Sequence, residues 1–528
     1  MHALTEDAQP TAARRALRWV WRLALALLVL ALTLALGFTL FAVSALPPLQ
    51  PWHTELLRNE FDAQRHQGLD FAGYQRLEAQ LFDELQAKTA QWARDGIDLS
   101  SCPQPATVSA LVAPDDCATQ AAETFRTSRF NSAAWVQRLA QGAPYNRSFR
   151  ITPPRVDGHA LLVHGLTDSP YSMRAMAASL QQRGFEVTVL RLPGHGTLPS
   201  MMTAMSAHDW TAAVRLAARD VASRVGPGQP FYVGGYSSGG TLVLQYALDA
   251  LQDDTLRRPD RVLLVSPAIE LTRVAALAEV IDLFTVVPLP ELDKARWQAI
   301  EPEFDPYKFN SFPVNASRQI NRATRGLQRS LEEAQRAGRL AQLPPVVTWQ
   351  SVVDSTVGSA GVVDRVYARL RGIQHRLVMF DINRAPELAG VARPTASALI
   401  ERMERAPRGY TLDLVSNAPR QQPRISVRRL APDGAAELRD TSLAWPSNLV
   451  SLGHVALPFP ADDPVYGFQP GSGRDGIPSI GSWLLRGENG AITLSLGSLT
   501  RLRSNPFWAL IDEDVAGLVA QDVEAKRR

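Results

Sequence analysis

The chain has 528 residues, of which 45% are hydrophobic and 20% charged, the proportions of a globular protein with a sizeable core. Its 55 basic and 52 acidic residues leave a net charge of +3, and no basic run with interleaved aromatic residues occurs. The composition therefore gives no support to a nucleic-acid-binding protein. A chain of this length is expected to contain about three structural units.

The first unit is an apolar segment near the N-terminus. Residues 23–46 carry no charged side chain and, at about 1.5 Å per residue, are long enough to cross the roughly 30 Å hydrocarbon core of a bilayer. A cytoplasmic N-terminus (residues 1–22) and a periplasmic or extracytoplasmic remainder are predicted from the arginines before it, which are Arg14, Arg15, Arg18 and Arg22. A cleavable signal peptide is the alternative, but its apolar region is usually about 7–15 residues. We therefore expect an uncleaved single-pass anchor.

A helical extension is expected over residues 47–152, between the anchor and the first long strand. The apolar residues that recur there at helical spacing are Tyr74, Leu77, Leu81 and Leu85. This pattern indicates packing and no chemistry. The only cysteines, Cys102 and Cys117, also lie in the extension, and outside the cytoplasm such a pair predicts a disulfide that stabilises by about 3 kcal/mol. No metal-ligand spacing accompanies them.

From about residue 158, short apolar runs alternate with helix-like patterns. This rhythm predicts an α/β fold with a mostly parallel sheet and helices on both faces, within a domain of residues 153–528. The runs expected to form strands are residues 161–163, 185–190, 231–233, 261–265, 346–353 and 377–380.

One turn in this pattern has the form of a nucleophile elbow. The residues Gly235-Tyr236-Ser237-Ser238-Gly239 follow an apolar run and precede a helix-like pattern, as the G-x-S-x-G motif requires. The turn projects its serine above the sheet in a strained conformation, and a side chain two residues before or after it would collide with the backbone. Ser237 is the better nucleophile, because Ser238 would have Tyr236 where the turn requires a small residue.

Two further loops give this motif a family context. His164-Gly165 follows the first predicted strand, and a Leu-Pro-Gly-His-Gly run at residues 192–196 follows the second. With these motifs in this order, the sequence resembles the α/β-hydrolase superfamily, and most of all its branch of monoacylglycerol lipases, carboxylesterases and serine aminopeptidase-like enzymes. The resemblance extends over residues 158–270, 345–372 and 450–458.

The resemblance implies the chain order serine, acid, histidine. His454 lies in a loop after an apolar segment and matches the S-x-x-H context of the family. The alternative His375 begins a strand, away from the sheet edge at which α/β sites form. Asp354 ends a predicted strand and matches the position of the family's acid, whereas Asp381 ends the next strand and is the alternative.

These residues imply acyl transfer through a covalent intermediate. The serine attacks a carbonyl carbon as the histidine removes its proton, and the aspartate fixes the imidazole tautomer. The backbone N–H groups of Leu166 and Ser238 are expected to bind the developing oxyanion. His164 and His195 are expected to order their loops. No cofactor or metal is implied.

Two insertions bear on the substrate. Residues 268–344 separate two core strands and are too long for a loop, and the related lipases carry a cap there. The apolar segment 274–290 is expected to line an acyl pocket, or else only to pack against the sheet. A second insertion, residues 382–448, has a helix-like run at 396–405 and strand-like runs at 410–415 and 425–430, and no role is assigned to it. The tail has a hairpin signal at Asn489-Gly490 and a closing helix near residues 507–519.

The sequence thus predicts a membrane-anchored serine hydrolase that cleaves lipophilic carboxylic esters, such as monoacylglycerols or lysophospholipid-like molecules. A peptidase or thioesterase with the same three residues is the alternative among enzymes. A non-catalytic lipid-binding relative is the alternative from another class.

Overall fold

The computed structural model describes twelve parts of the chain. They are residues 19–30, 33, 37, 47–95, 117–131, 145–270, 290–354, 356–388, 394–418, 423–469, 480–482 and 501–528. The predicted disulfide lies outside them, since Cys102 and the side chain of Cys117 are not included. The predicted acyl-pocket segment, except Pro290, and the predicted hairpin at Asn489-Gly490 are also outside.

A ten-stranded sheet forms the centre of the protein, and its strand order is β1-β3-β2-β4-β5-β8-β9-β10-β11-β12. All neighbouring pairs from β3 to β10 are parallel, whereas β1, β11 and β12 pair antiparallel with their neighbours. The strands of the sheet are β1 (Phe149–Ile151), β2 (Gly158–Val163), β3 (Phe185–Leu190), β4 (Phe231–Tyr236), β5 (Arg261–Val265), β8 (Val346–Ser351), β9 (Arg376–Phe380), β10 (Thr411–Asn417), β11 (Arg424–Leu430) and β12 (Ala436–Ala444). A separate two-stranded sheet consists of β6 (Trp297–Ala299) and β7 (Phe312–Pro313).

Helices cover both faces of the sheet. Residues 19–30 are helical. From residue 47 onward, the helices of eight or more residues in the described ranges are α1 (Phe71–Asp95), α2 (Cys117–Thr127), α3 (Arg174–Gln181), α4 (Ala207–Arg224), α5 (Ser238–Asp249), α6 (Val314–Arg336), α7 (Pro394–Arg405) and α8 (Trp508–Arg527). Buried side chains of α4, α5, α6 and α7 belong to the core on one face, and those of α3 and α8 to the core on the other. Strands β2, β4, β5 and β8 are buried throughout, as central parallel strands covered on both faces must be.

All six runs predicted as strands of the domain are strands in the structure. The second insertion also has the predicted helix (α7) and strands (β10 and β11), and it lengthens the sheet beyond β9. The sequence did not predict β12, because its side chains are mostly exposed and show no apolar alternation. The closing helix α8 is longer than predicted.

The predicted cap, residues 268–344, divides into two parts. Residues 297–313 include the small β6–β7 sheet, whereas α6 packs on α5 and contributes Leu327 and Leu331 to the main core. The C-terminal part of the predicted cap is therefore a helix of the layer that covers the sheet. The prediction rested on the length of the insertion and on the resemblance, and neither separates a cap from a helix that covers the sheet.

The N-terminal extension packs on the domain through α1 and the residues before it. Leu49 is buried with Trp297 and Ile300 beside the small sheet, and His53 Nε2 lies 2.9 Å from Ser311 Oγ. Of the predicted anchor, the structure describes residues 23–30, 33 and 37. Within the described ranges, no helix combines the length and apolarity needed to cross a membrane.

Candidate active site

The predicted elbow joins β4 to α5. Ser237 is the one residue between them and has φ 53° and ψ −119°, a left-handed conformation that is costly for a residue with a side chain. Glycine is needed two residues before and two residues after Ser237. A Cβ on Gly235 would lie 2.3 Å from the carbonyl carbon of Gly239, and a Cβ on Gly239 would lie 2.1 Å from the carbonyl oxygen of Val163.

The structure brings the three side chains predicted for acyl transfer together. His454 Nε2 lies 3.0 Å from Ser237 Oγ, and His454 Nδ1 lies 2.8 Å from Asp354 Oδ2. The sequence separations are 217 and 100 residues, so the fold alone creates these contacts. The side chains of His454 and Asp354 are 4% and 0% exposed, so water does not compete for the hydrogen bond between them.

The surroundings of Asp354 keep its carboxyl group ionised. Burial raises its pKa, but the charge and hydrogen bond of His454 and two backbone N–H groups outweigh this effect and hold the pKa below its usual value. Those N–H groups, of Thr356 and Val357, each donate to Asp354 Oδ1 at 2.9 Å. An ionised carboxylate only accepts hydrogen bonds, so His454 carries its proton on Nδ1. Its Nε2 is thereby free to accept the proton of Ser237.

The same geometry distinguishes the two adjacent serines, Ser237 and Ser238. Ser238 is the first residue of α5, its hydroxyl is buried, and within the described part of the chain that hydroxyl has no hydrogen-bond partner. Ser237 is 7% exposed and is the serine that faces the histidine.

Of the two amides predicted to bind an oxyanion, one lies in the elbow and the other in the loop after β2. Ser238 begins α5, so its N–H belongs to the first turn, where backbone donors are left free. Leu166 follows the end of β2, in a loop where the next residue, Thr167, has φ 65°. The carbonyl of Thr167 accepts the N–H of Phe309 at 2.8 Å, which ties this loop to the segment between β6 and β7.

The alternative acid and base lie elsewhere. His375 Nδ1 accepts the backbone N–H of Val346 at 3.2 Å, at the start of β8 and thus at the opposite edge of the sheet. Asp381 is 2.7 Å from Arg384 and accepts the N–H of Ile382. Neither residue contacts the elbow.

The two loop histidines hold backbone groups. His164 Nε2 accepts the N–H of Leu192 at 2.9 Å, and its Nδ1 lies 2.8 Å from the carbonyl oxygen of Gly165. His195 Nδ1 lies 3.0 Å from the carbonyl oxygen of Pro193, and burial lowers its pKa to about 4. Both histidines therefore order loops, as the sequence predicts.

Sequence reasoning missed the contribution of the extension to one of these loops. The guanidinium of Arg191, which is 1% exposed, binds Glu60 at 2.9 Å and Glu78 at 2.8 Å. Glu60 also accepts the N–H of Gly194 at 2.9 Å. No short motif joins these residues, since Glu78 lies on α1 and Glu60 lies in the irregular segment before it.

Comparison with known proteins supports the resemblance inferred from the motifs. The family described as "Serine aminopeptidase, S33" matches residues 154–364, less than half of the chain. The thermostable monoacylglycerol lipase of Bacillus sp. (strain H-257) is 41% identical over 87 residues, which are 16% of this chain and 34% of that protein. The match therefore spans about a third of the length of this curated relative.

Two solved structures show the same kind of likeness. A structure reported with the metagenome-derived lipolytic enzymes LipS and LipT is 21% identical and has a TM-score of 0.33, over 42% of this chain and 84% of that one. The monoacylglycerol lipase of Paleococcus ferrophilus is 19% identical with a TM-score of 0.33, over 48% of this chain and 97% of that one. Scores this low do not establish a common architecture across the whole chain.

Proposed function

We propose that this protein is a serine hydrolase that cleaves carboxylic esters. The basis is its α/β-hydrolase fold, in which residues 154–364 match the S33 serine aminopeptidase family. The observation that carries the proposal is the pair of hydrogen bonds of His454, one to Ser237 and one to Asp354. A buried base that is oriented by an ionised carboxylate and contacts a strained serine has the geometry of an activated nucleophile.

The reaction follows from these contacts. Ser237 Oγ forms a bond to the ester carbonyl carbon while its proton passes to His454 Nε2, and the N–H groups of Leu166 and Ser238 bind the resulting oxyanion. The tetrahedral intermediate then expels the alcohol, which takes the proton from His454. Water then bonds to the acyl carbon while its proton passes to His454 Nε2. The bond to Ser237 Oγ breaks, the acid is released, and Oγ takes the proton back from His454. Asp354 stabilises the imidazolium formed in each half of the reaction.

We propose monoacylglycerols and lysophospholipid-like esters as the substrates. The relative with 41% local identity is a monoacylglycerol lipase, and the chain has an apolar segment at residues 274–290 in the cap position. The cap is held against the oxyanion loop by the bond between Phe309 and Thr167 and by the ion pair between Lys308 and Asp168, at 3.5 Å. We propose that the cap covers the acyl side of the site.

We expect catalytic efficiency to rise with the length of the acyl chain. Each methylene buried in an apolar channel contributes about 0.8 kcal/mol, so kcat/KM should increase up to a few-fold per methylene until the channel is filled. The measurement is a series of p-nitrophenyl esters and monoacylglycerols from acetate to long-chain acids. A flat profile would contradict the lipid substrate and favour small esters. Hydrolysis of aminoacyl anilides in place of every ester would favour a peptidase.

We also propose that residues 23–46 anchor the protein in a membrane and that the hydrolase domain lies on the periplasmic or extracytoplasmic side. The helical residues 19–30 support this proposal, because their large apolar side chains are exposed, with Trp19 and Trp21 each 70% accessible. Trp residues flanking an apolar span are typical of the membrane interface. The chain leaving the predicted anchor packs at Leu49 beside the cap, which is consistent with a substrate that comes from the membrane.

In that compartment we expect Cys102 and Cys117 to form a disulfide. The measurement is mass spectrometry of non-reduced peptides, with alkylation before lysis, on protein from its native compartment. Two alkylated cysteines would contradict the proposed orientation and indicate a catalytic domain in the cytoplasm. Protease digestion of cells stripped of any outer membrane, before and after lysis, provides an independent check, since an extracytoplasmic domain is cleaved in both.

A further inference from the structure

The extension contacts the site through a directed series of hydrogen bonds. Tyr74, on α1, donates its hydroxyl proton to the carbonyl oxygen of Arg191 at 2.6 Å. That carbonyl belongs to the same peptide group as the N–H of Leu192, which donates to His164 Nε2 at 2.9 Å. His164 Nδ1 lies 2.8 Å from the carbonyl oxygen of Gly165, whose peptide group includes the N–H of Leu166.

The direction of every donor in this series is fixed. A backbone N–H only donates, so the contact with Leu192 makes His164 Nε2 an acceptor and places the single proton of the neutral ring on Nδ1. The ring is neutral because burial and the neighbouring His195 hold its pKa well below the usual value. Nδ1 therefore donates to Gly165. Tyr74 is a donor throughout the physiological range, because burial raises its pKa well above the usual value.

A planar peptide group transmits this orientation to the next donor. The C=O and N–H of a trans peptide point in opposite directions, so a bond that holds the carbonyl oxygen of Gly165 also aims the N–H of Leu166. The N–H of Asp168 is a second, longer donor to the same oxygen, at 3.3 Å. Hydrogen bonds in such a chain polarise one another, which makes the terminal N–H a stronger donor.

We propose that Tyr74 and His164 are positioning residues of the oxyanion hole, and that the N-terminal extension thereby forms part of the active site. The inference rests on the proposed function, since it assigns the terminal N–H of Leu166 to the oxyanion. The ion pairs of Arg191 with Glu60 and Glu78 hold the loop through which the series passes. Two carboxylates on the extension thus fix the peptide group that Tyr74 orients.

The test is Tyr74→Phe in the full-length protein, which removes one hydroxyl and keeps the buried ring. We expect kcat to fall about two- to tenfold, in line with the loss of one hydrogen bond, while KM remains close to its original value. The affinity for a trifluoromethyl ketone, whose adduct is an oxyanion, should fall by the same factor as kcat. A variant that was merely destabilised would lose active protein, which titration with a fluorophosphonate measures, but would not lose turnover per active site.

The matched control is Tyr246→Phe. Tyr246 is also buried and donates to a backbone carbonyl, that of Arg257 at 2.8 Å, but at the far end of α5 from Ser237. It should lower the melting temperature by a similar amount and leave kcat unchanged. Equal effects of the two variants on kcat and on ketone affinity would overturn the proposal.

Variants of His164 test the centre of the series. His164→Asn retains a donor for Gly165 near the position of Nδ1, whereas His164→Leu removes both donor and acceptor. We expect kcat to be highest in the unmodified protein, lower in His164→Asn and lowest in His164→Leu, with a loss of about a hundredfold or more for the leucine variant. Equal rates for Asn and Leu, with both proteins folded, would contradict the proposal.

One measurement needs no variant. The nitrogen chemical shifts of His164 in ¹⁵N-labelled protein should show a protonated Nδ1 and an unprotonated Nε2, and the opposite tautomer would overturn the series. The proposed function is tested separately by fluorophosphonate labelling of the unmodified protein. Absence of labelling at Ser237 would refute the hydrolase itself, whereas normal labelling with an unaltered rate in Tyr74→Phe would refute only the positioning role.

Discussion

Replacing Ser237 by alanine is expected to lower kcat for ester hydrolysis by about five to six orders of magnitude. The substitution removes the only atom that forms the covalent bond to the substrate, and Ser238 cannot replace it because its hydroxyl is buried away from His454. The variant should still fold. The backbone strain at position 237 should remain, because alanine has a Cβ just as serine does. The rate is measured with a p-nitrophenyl ester.

The matched control is Ser238→Ala. This change removes a hydroxyl that has no partner in the described part of the chain and keeps the backbone N–H assigned to the oxyanion. Its kcat should stay close to that of the unmodified protein. Loss of activity in Ser238→Ala with normal turnover in Ser237→Ala would refute the nucleophile assignment and the mechanism with it.

Replacing His454 by alanine is expected to cost a similar factor, about five to six orders of magnitude in kcat. Without the imidazole, Ser237 has no base to accept its proton, and the leaving alcohol has no acid. Residues that act as one unit have non-additive effects, so the double variant with Ser237→Ala should be no slower than either single variant. Circular dichroism and the melting temperature distinguish loss of the base from loss of folded protein.

His375→Ala provides the control for His454. His375 is as buried as His454, but its ring accepts a backbone N–H at the opposite edge of the sheet, so its loss should reduce stability and leave kcat per active site unchanged. If instead His375→Ala abolished turnover while His454→Ala retained it, the base would be misassigned.

Local rules account for the parts of the site that the sequence revealed. A tight turn between strand and helix admits no Cβ at Gly235 or Gly239, so five adjacent residues are enough to identify it. Strands buried on both faces carry short apolar runs, which made β2 and β5 recognisable. The chain order and motif positions of the family that the sequence resembles then led to Asp354 and His454.

Other features depend on which surfaces meet in the folded protein. The second insertion contains recognisable strands, but only pairing shows that β10 continues the parallel sheet and that β11 and β12 turn back along its edge. The residues of α6 were predicted as part of a cap because of the length of chain between two core strands and the resemblance to lipases, and neither shows which surface the segment covers. In the tertiary structure, α6 packs on α5.

The sequence by itself determined the fold class and the elbow at Ser237, because each follows from sterics and burial over a few adjacent residues, whereas the acyl-transfer chemistry is what the family resemblance implies. Only the tertiary structure decided that Tyr74 is more than an apolar residue of a helix. Its hydroxyl meets a carbonyl 117 residues away, and nothing in helical periodicity distinguishes a tyrosine that packs from one that also donates a hydrogen bond. A hydrogen bond across the fold depends on the packing of two elements, and that packing is a property of the whole chain.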